Sequence, residues 1–136
     1  MTLTPYQITA ILALATKVEE ALSARHRPIG TPTAAALHAL GLVTWEGEAR
    51  MGYNRRSGRS WACYDSLVRL TDAGWSVAAS LGADVRGAFT RHAEDCDRLA
   101  ALWSTDRPTI PAHPATVAEW TRAAADTRAR LLTILA

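Results

Sequence analysis

The densest chemistry in the sequence is a cluster of arginines near its centre. Four of them lie within ten residues, with no aspartate or glutamate among them: Arg50, Arg55, Arg56 and Arg59. Polar and aromatic residues stand in and beside the cluster, namely Tyr53, Asn54 and Trp61. A guanidinium group is a weakly hydrated, permanently charged fork that suits phosphate or a narrow minor groove. The cluster therefore predicts contact with nucleic acid, with a solvated basic loop as the alternative.

The charge of the whole chain supports this emphasis on one segment. The formal net charge is +2. Residues 25–69 hold seven arginines against three acids, a net charge of +4, whereas residues 84–136 hold seven of each and are neutral. Basic side chains concentrated in one segment are typical of proteins that bind nucleic acid.

Other chemically capable residues do not form a site that the spacing supports. His92 and Cys96 are four apart on a predicted helix and His113 is a third candidate ligand, but a structural zinc site needs four ligands with local spacing. The run Glu94-Asp95-Cys96-Asp97 supplies carboxylates, but adjacent acids on a helix do not face each other, so a paired acid and base is not indicated. No phosphate-binding glycine loop or nucleophile motif is present. We expect no metal, no cofactor and no enzymatic activity.

Two β-prone runs flank the arginines and predict a hairpin. They are Leu42–Trp45 and Trp61–Leu70, and the polar segment between them looks too long for a tight turn. The expected result is a hairpin with a long basic tip. The large aromatic side chains around it are expected to pack in the core or across the strands: Trp45, Trp61, Tyr64 and Trp75.

A short helix is predicted on each side of the hairpin. The first runs from Thr31 to Leu40 and ends at Gly41, which can adopt the left-handed conformation at a helix C-terminus. Thr31 or Thr33 is its expected cap. Leu37 and Leu40 are expected to be buried, while Thr33, Ala34 and His38, or their neighbours, are expected to be exposed. The second helix runs from a cap at Thr71 or Asp72 to about Leu81, before Gly82.

The N-terminal segment predicts a core helix. Thr4 can cap it and Pro5 is suited to its first position. Apolar residues recur at the spacing of one helical face, at Ile8, Ile11, Leu12, Ala15, Val18 and Leu22. Either one helix extends to about Arg25, or two helices are broken near Thr16-Lys17. Residues 25–30 contain Pro28 and Gly30 and predict a turn.

Two short stretches resemble bacterial winged-helix regulators of the MarR and PadR type. Residues 37–43, Leu-His-Ala-Leu-Gly-Leu-Val, resemble the end of a recognition helix, and residues 67–74, Leu-Val-Arg-Leu-Thr-Asp-Ala-Gly, resemble the second wing strand and the helix after it. The resemblance implies a winged helix-turn-helix unit over residues 1–82. It places Thr31, Thr33 and His38 in the major groove, and Arg25 and Arg27 on phosphates. The family normally places a second helix before the recognition helix, and in this sequence few residues are left to form it.

The last third of the chain predicts two more helices. An apolar stripe at nearly heptad spacing runs through Val85, Phe89, His92, Cys96, Leu99 and Trp103. Another runs through Val117, Trp120 or Thr121, Ala124, Arg128, Leu131 and Leu135. Prolines exclude a helix over residues 104–114, and Ala115 or Thr116 is expected to restart one. The two helices are expected to form an antiparallel pair, as a C-terminal extension over residues 83–136 that either dimerises or packs within the chain.

The expected fold class is mainly α with a small β-hairpin wing (α+β), a winged helix-turn-helix followed by the C-terminal helix pair. At 136 residues the chain can bury a core without disulfides, and Cys63 and Cys96 are expected to be thiols. No apolar run is long enough to cross a bilayer, so we expect a soluble cytoplasmic protein.

Two functions remain open on this basis. The first is a transcriptional regulator that binds double-stranded DNA, with a homodimer through residues 84–136 and an inverted-repeat operator. The second is a winged-helix module that binds another protein, because the Thr31–Leu40 helix has no arginine, lysine, asparagine or glutamine to read bases. A pocket for a regulatory ligand is a third possibility to which the sequence assigns no residue.

Overall fold

The computed structural model describes residues 2–16, 18, 22–23 and 29–136, with the side chains of residues 22–23, 47–54 and 60–66 left aside. Within these ranges the chain forms five helices and three strands. In chain order they are α1 (Pro5–Leu14), β1 (Leu22–Ser23), α2 (Thr31–Ala39), β2 (Val43–Asn54), β3 (Arg59–Leu70), α3 (Asp72–Ser80), α4 (Val85–Trp103) and α5 (Pro114–Ile134). The fold is mainly helical with a small antiparallel sheet, which confirms the α+β class.

Helix α1 begins as the sequence predicts but ends early. The Thr4 hydroxyl accepts a hydrogen bond from the backbone N–H of Gln7, whose side chain accepts one from the backbone N–H of Thr4. This capping box satisfies two backbone donors that the first turn leaves open. The helix ends at Leu14, so the prediction of one helix reaching Arg25 is wrong. The alternative, two helices broken near Thr16-Lys17, falls mostly on residues outside those described. A second helix does not run on to Leu22, because Leu22 and Ser23 pair with β3.

The face that α1 buries also differs from the prediction. Ala10, Ile11 and Leu14 are buried, whereas Leu12 is 40% exposed. The predicted apolar series over residues 8–22 extends past the end of α1 at Leu14 and into β1. These residues therefore do not form one face of a single helix.

The sheet has the order β1-β3-β2, and all its pairings are antiparallel. Strands β2 and β3 each contain 12 residues and pair from Val43↔Leu70 to Asn54↔Arg59. The predicted hairpin is confirmed, but its long irregular tip is wrong. Only residues 55–58 lie outside the strands, since the polar residues from Glu46 to Asn54 continue the ladder. Backbone hydrogen bonding across the strands outweighs the low strand propensity of this stretch.

Helix α2 begins at the predicted residue and ends one residue early, at Ala39, with a different cap and a partly different buried face. Its N-cap is Gly30, which has no side chain to bond the first turn. Neither Thr31 nor Thr33 therefore occupies the N-cap position. Ala34 and Leu37 are fully buried, whereas Leu40 is 45% exposed. The expectations for Ala34 and Leu40 are therefore wrong. Gly41 follows with a φ of 73°, as predicted, and the chain turns directly into β2.

Helix α3 starts at the end of the hairpin and packs into the core. The Thr71 hydroxyl accepts a hydrogen bond from the backbone N–H of Gly74 and donates one to the carbonyl of Gly41. Trp75 is 2% exposed, and its ring lies edge to face against Phe89 of α4, with centroids 5.0 Å apart. The predicted core position of Trp75 is confirmed, and Trp45 packs half-buried against the same core.

Helices α4 and α5 form the predicted antiparallel pair. The N–H of His113, before α5, donates to the carbonyl of Trp103 at the end of α4, and Arg130 near the end of α5 lies over Phe89 near the start of α4. Between them, Arg128 donates to Asp97 with a distance of 2.5 Å between Nη2 and Oδ2. Of the predicted α4 stripe, Val85, Phe89 and Cys96 are buried. On α5 the stripe turns inward at Ala124, Thr127 and Ile134, so the predicted inward positions of Arg128 and Leu135 are wrong.

Helix α5 also begins one residue before the earliest predicted start. Pro114 is its first residue, with His113 as the cap. Proline lacks only an N–H that the first turn would leave unbonded, so it is tolerated there.

Gly74 offers a direct test of the packing between α3 and the start of β2. A Cβ at this position would overlap the carbonyl oxygen of Leu42, which accepts the N–H of Thr71 and so cannot withdraw freely. Alanine gains about 1 kcal/mol in helix propensity, but overpacking costs about 1–3 kcal/mol and a lost hydrogen bond about 1 kcal/mol more. We expect Gly74→Ala to lower the free energy of unfolding in a urea titration, whereas Ala73→Ser, at an exposed neighbour, leaves it nearly unchanged. Equal midpoints for the two variants would contradict this packing.

The bond between α4 and α5 predicts a pH dependence. The hydrogen bond from Arg128, together with its charge, lowers the pKa of Asp97 below the usual value of 3.8. A carboxylate with a lowered pKa in the folded state stabilises the fold above its ordinary pKa, and this contribution is lost as the pH falls through the folded value. We expect Arg128→Gln to raise the pKa of Asp97 in an NMR titration, and to reduce stability at neutral pH but not at a pH below both values. An unchanged Asp97 titration would contradict the pairing.

Candidate nucleic-acid interface

The tip of the hairpin carries an exposed group of arginines. Residues 55–58 form the turn between β2 and β3, and Gly58 has a φ of 66°, a conformation that side chains with a Cβ rarely adopt. Arg55, Arg56 and Arg59 are all exposed. The turn therefore brings three of the four predicted arginines of the cluster to one end of the hairpin.

The fourth arginine of the cluster lies lower on the hairpin. The backbone of Arg50 is in β2 with Cys63 as its Cα partner, four residue pairs from the pair Asn54↔Arg59 that closes the ladder. Its side chain is outside what the structure describes. Arg25 and Arg27, which the resemblance places on phosphates, lie outside the described residues.

The positive charge at the tip is well separated from the acids of the hairpin. The sequence has no acid between residues 49 and 64, and the nearest acidic pair in register is Glu48↔Asp65. Six residues of strand separate Glu48 from Asn54, a distance of about 20 Å. The Debye length at physiological ionic strength is about 8 Å, so the field of these acids is largely screened at the tip.

At the base of the hairpin, by contrast, charges are paired. Arg69 on β3 lies 3.7 Å from Glu46 on β2, measured from Nη1 to Oε2. This arginine is the Cα partner of Thr44, next to the first residues of β2. The positive charge of the hairpin that an anion would meet is thus at the tip and not at the base.

Helix α2 presents a surface of small side chains. Its exposed residues are Thr31, Pro32, Ala35, His38 and Ala39, and Thr33 is half-buried. None of these residues carries the paired donor and acceptor groups that recognise a base edge bidentately. Their small size permits close approach of the helix to another surface, but it provides little direct recognition of sequence.

His38 has a role within the fold that the sequence did not predict. Its Nδ1 lies 3.3 Å from the carbonyl oxygen of Val43, and its ring stands edge to face against Trp45 with centroids 6.4 Å apart. A tautomer protonated at Nδ1 donates a hydrogen bond to that carbonyl. The side chain therefore joins the end of α2 to the start of β2, although the residue remains exposed.

An apolar groove between α1 and α2 is a second feature that the sequence did not indicate. Its volume is about 630 Å³ and it is lined by Thr2, Thr4, Gln7, Ala36, Ala39 and Leu40. Leu40 is exposed here, where the periodicity of α2 placed it in the core. Leu40 is the C-cap of α2 and keeps helical dihedral angles, so no local signal in the sequence marks it as exposed.

The residues considered for metal binding do not come together. The Nε2 atom of His92 lies 3.8 Å from the Sγ atom of buried Cys96, whereas His113 caps α5 beside Trp103. Over residues 2–16, 18, 22–23 and 29–136, no group of three His, Cys, Asp or Glu side chains is arranged to hold a metal ion. In the same ranges, no helix combines the length and the apolar character that crossing a bilayer requires.

Comparison of the chain with models of protein families, with curated proteins and with solved structures finds no match. The candidate interface therefore rests on the geometry and chemistry of its residues alone.

The position of His38 separates a structural role from base recognition. Loss of one hydrogen bond and one aromatic contact costs about 1–2 kcal/mol. We expect His38→Ala to lower the free energy of unfolding by about this amount in a urea titration, while Ala35→Ser, an exposed position on the same helix, changes it little. Full stability in His38→Ala would exclude the role in joining α2 to β2 and would favour an outward role for the imidazole.

Proposed function

We propose that the protein is a DNA-binding transcriptional regulator in which residues 1–82 act as a winged helix. The observation that carries the proposal is the arginine tip of the hairpin. It has three exposed guanidinium groups on a short turn, at the end of two paired 12-residue strands, with the nearest acids in register about 20 Å away. Phosphate contacts by such groups supply most of the affinity of proteins for nucleic acid.

The position of α2 relative to the hairpin supports the same proposal. The helix ends at Ala39 and β2 starts at Val43, so α2 lies at the base of the hairpin. Trp45 and Asn54 are nine strand residues apart, and the tip is therefore about 30 Å along the strand from the base. One turn of B-DNA advances by about 34 Å. A duplex lying along this surface would contact the small side chains of α2 at one point and the arginines roughly one turn away.

The arginines and α2 would contact DNA in different ways. The arginines bind phosphates or a narrow minor groove, and they favour DNA sequences whose minor groove is narrow. Helix α2 approaches closely through Thr31, Ala35 and neighbouring small residues. Sequence preference would then depend more on groove width than on hydrogen bonds to base edges.

The proposal includes a homodimer through residues 84–136, but DNA binding by the hairpin does not depend on it. Helices α4 and α5 already pack on each other within one chain, and the large apolar side chains left exposed on them or at their end are Leu102, Leu132 and Leu135. If two copies associate, DNA half-sites should be related by a two-fold axis.

The competing function is recognition of another protein by the same unit. It is favoured by the groove between α1 and α2, because Leu40 is 45% exposed and lies beside Ala36 and Ala39. Salt separates the two functions, since phosphate binding weakens steeply with salt and an apolar contact does not.

The test is a double substitution at the tip of the hairpin. We expect Arg55→Ala/Arg56→Ala to weaken binding to all duplex sequences and to reduce the slope of log affinity against log salt by up to about two units, because each phosphate contact contributes about 0.9. The measurement is fluorescence anisotropy with labelled duplexes of random and A·T-tract sequence at several salt concentrations.

A charge-matched control is available on the C-terminal helices. Arg86 and Arg122 are exposed on α4 and α5, so Arg86→Ala/Arg122→Ala removes the same charge away from the hairpin. Equal affinity and slope in the tip variant and the unaltered protein would overturn the proposal. Equal weakening in both double variants would show non-specific attraction to the whole chain.

A further inference from the structure

A groove between α4 and α5 lies away from the hairpin. Its volume is about 560 Å³, and its lining residues are His92, Trp120, Ala123, Asp126, Thr127 and Arg130. The small side chains of Ala123 and Thr127 leave a recess where α5 faces α4. Trp120 and Arg130 bound the recess ten residues apart on α5, a distance of about 15 Å. The size suits a small organic molecule.

The cation at one end of the groove is already engaged elsewhere. Both Nε and Nη2 of Arg130 donate to Oδ1 of Asp72 on α3, at 3.1 and 2.9 Å. The guanidinium carbon also lies 5.4 Å from the centre of the Phe89 ring. These contacts neutralise the charge of Arg130 and hold it at the end of the recess.

Asp126 is left without a cationic partner as a consequence. An arginine four residues along a helix is a usual partner for an aspartate, and Arg130 occupies that position. Since Arg130 turns to Asp72, and Arg122 one turn earlier forms no ion pair either, the carboxylate of Asp126 has no salt bridge in the part of the chain that the structure describes.

Two other polar side chains of the groove have contacts within the fold. The Thr127 hydroxyl donates to the carbonyl of Ala123 at 2.7 Å. His92 has its Nε2 atom 3.8 Å from the Sγ atom of Cys96. The groove thus presents an indole, an unpaired carboxylate and an apolar floor.

We propose that this groove binds an organic cation, a substituted ammonium group attached to an apolar or aromatic body. The carboxylate of Asp126 supplies the countercharge, and the face of Trp120 attracts the cation and covers its apolar part. An organic anion is disfavoured, because Arg130 is bound by Asp72 and the only unpaired charge in the groove is negative. The proposal stands apart from DNA binding and concerns a second site.

The test is isothermal titration calorimetry with benzyltrimethylammonium as the probe, on the full chain. We expect saturable binding with one site per chain. Asp126→Asn and Trp120→Leu should each weaken binding by about tenfold or more, because each removes one of the two attractions on the cation. Glu119→Gln serves as the matched control: it removes an exposed acid of α5 outside the groove and should leave binding unchanged.

An anion of similar size, 3-phenylpropionate, completes the design. Binding of the anion in preference to the cation would overturn the proposal, as would an affinity that Asp126→Asn does not change. Absence of heat with either probe would also overturn it. Circular dichroism of each variant checks that it is folded, since Asp126 is exposed and forms no ion pair that the substitution removes.

Discussion

The structure depends on one junction, at which the end of α2, the start of β2, the end of β3 and the start of α3 meet. The Thr71 hydroxyl donates to the carbonyl of Gly41 and accepts the N–H of Gly74, while the N–H of Thr71 donates to the carbonyl of Leu42. One hydroxyl can do both because it has one donor and two acceptor positions. Gly74 is required here by contact, since any Cβ would meet the Leu42 carbonyl. The junction therefore sets the angle at which the hairpin leaves the helical body.

The C-terminal helices are attached to this junction from the other side. Asp72, the first residue of α3, receives the guanidinium of Arg130, and the Ser76 hydroxyl donates to the carbonyl of Ile134 at 3.1 Å. Phe89 fills the space between Trp75 and Arg130. Exposed ion pairs of this kind contribute only about 0–1 kcal/mol each, so apolar packing holds the bodies together and the polar contacts fix their orientation. The same orientation leaves Asp126 unpaired beside Trp120.

The two ends of the hairpin differ in charge. The base is neutralised by Arg69 and Glu46 and is packed against α2 through Trp45 and His38. The charged residues of the tip are all arginines, and the strands place them about 20 Å from the nearest acids in register. This separation by strand length is what gives the arginines a strong local field, although the net charge of the chain is only +2.

Much of the local structure was determined by the sequence alone. The cap at Thr4, the left-handed Gly41, the cap at Thr71 and the apolar stripe of α4 arise from interactions within a few residues, and all four are present. The arginine cluster was likewise visible as a run of charge without acids. These features could be predicted because the responsible contacts lie close together in the chain.

Only the tertiary structure decided the rest, because those contacts join residues far apart in the sequence. The ladder between β2 and β3 shortened the expected loop to four residues, and pairing with β3 made Leu22 and Ser23 a strand and not part of a helix. His38 was expected to contact DNA bases, but its contacts with the Val43 carbonyl and the Trp45 ring connect α2 to β2. The partner of Arg130 is 58 residues away, so no local rule could choose it over Asp126. Local propensity specifies where helices begin and end, whereas burial and pairing across the fold decide which side chains remain available for binding.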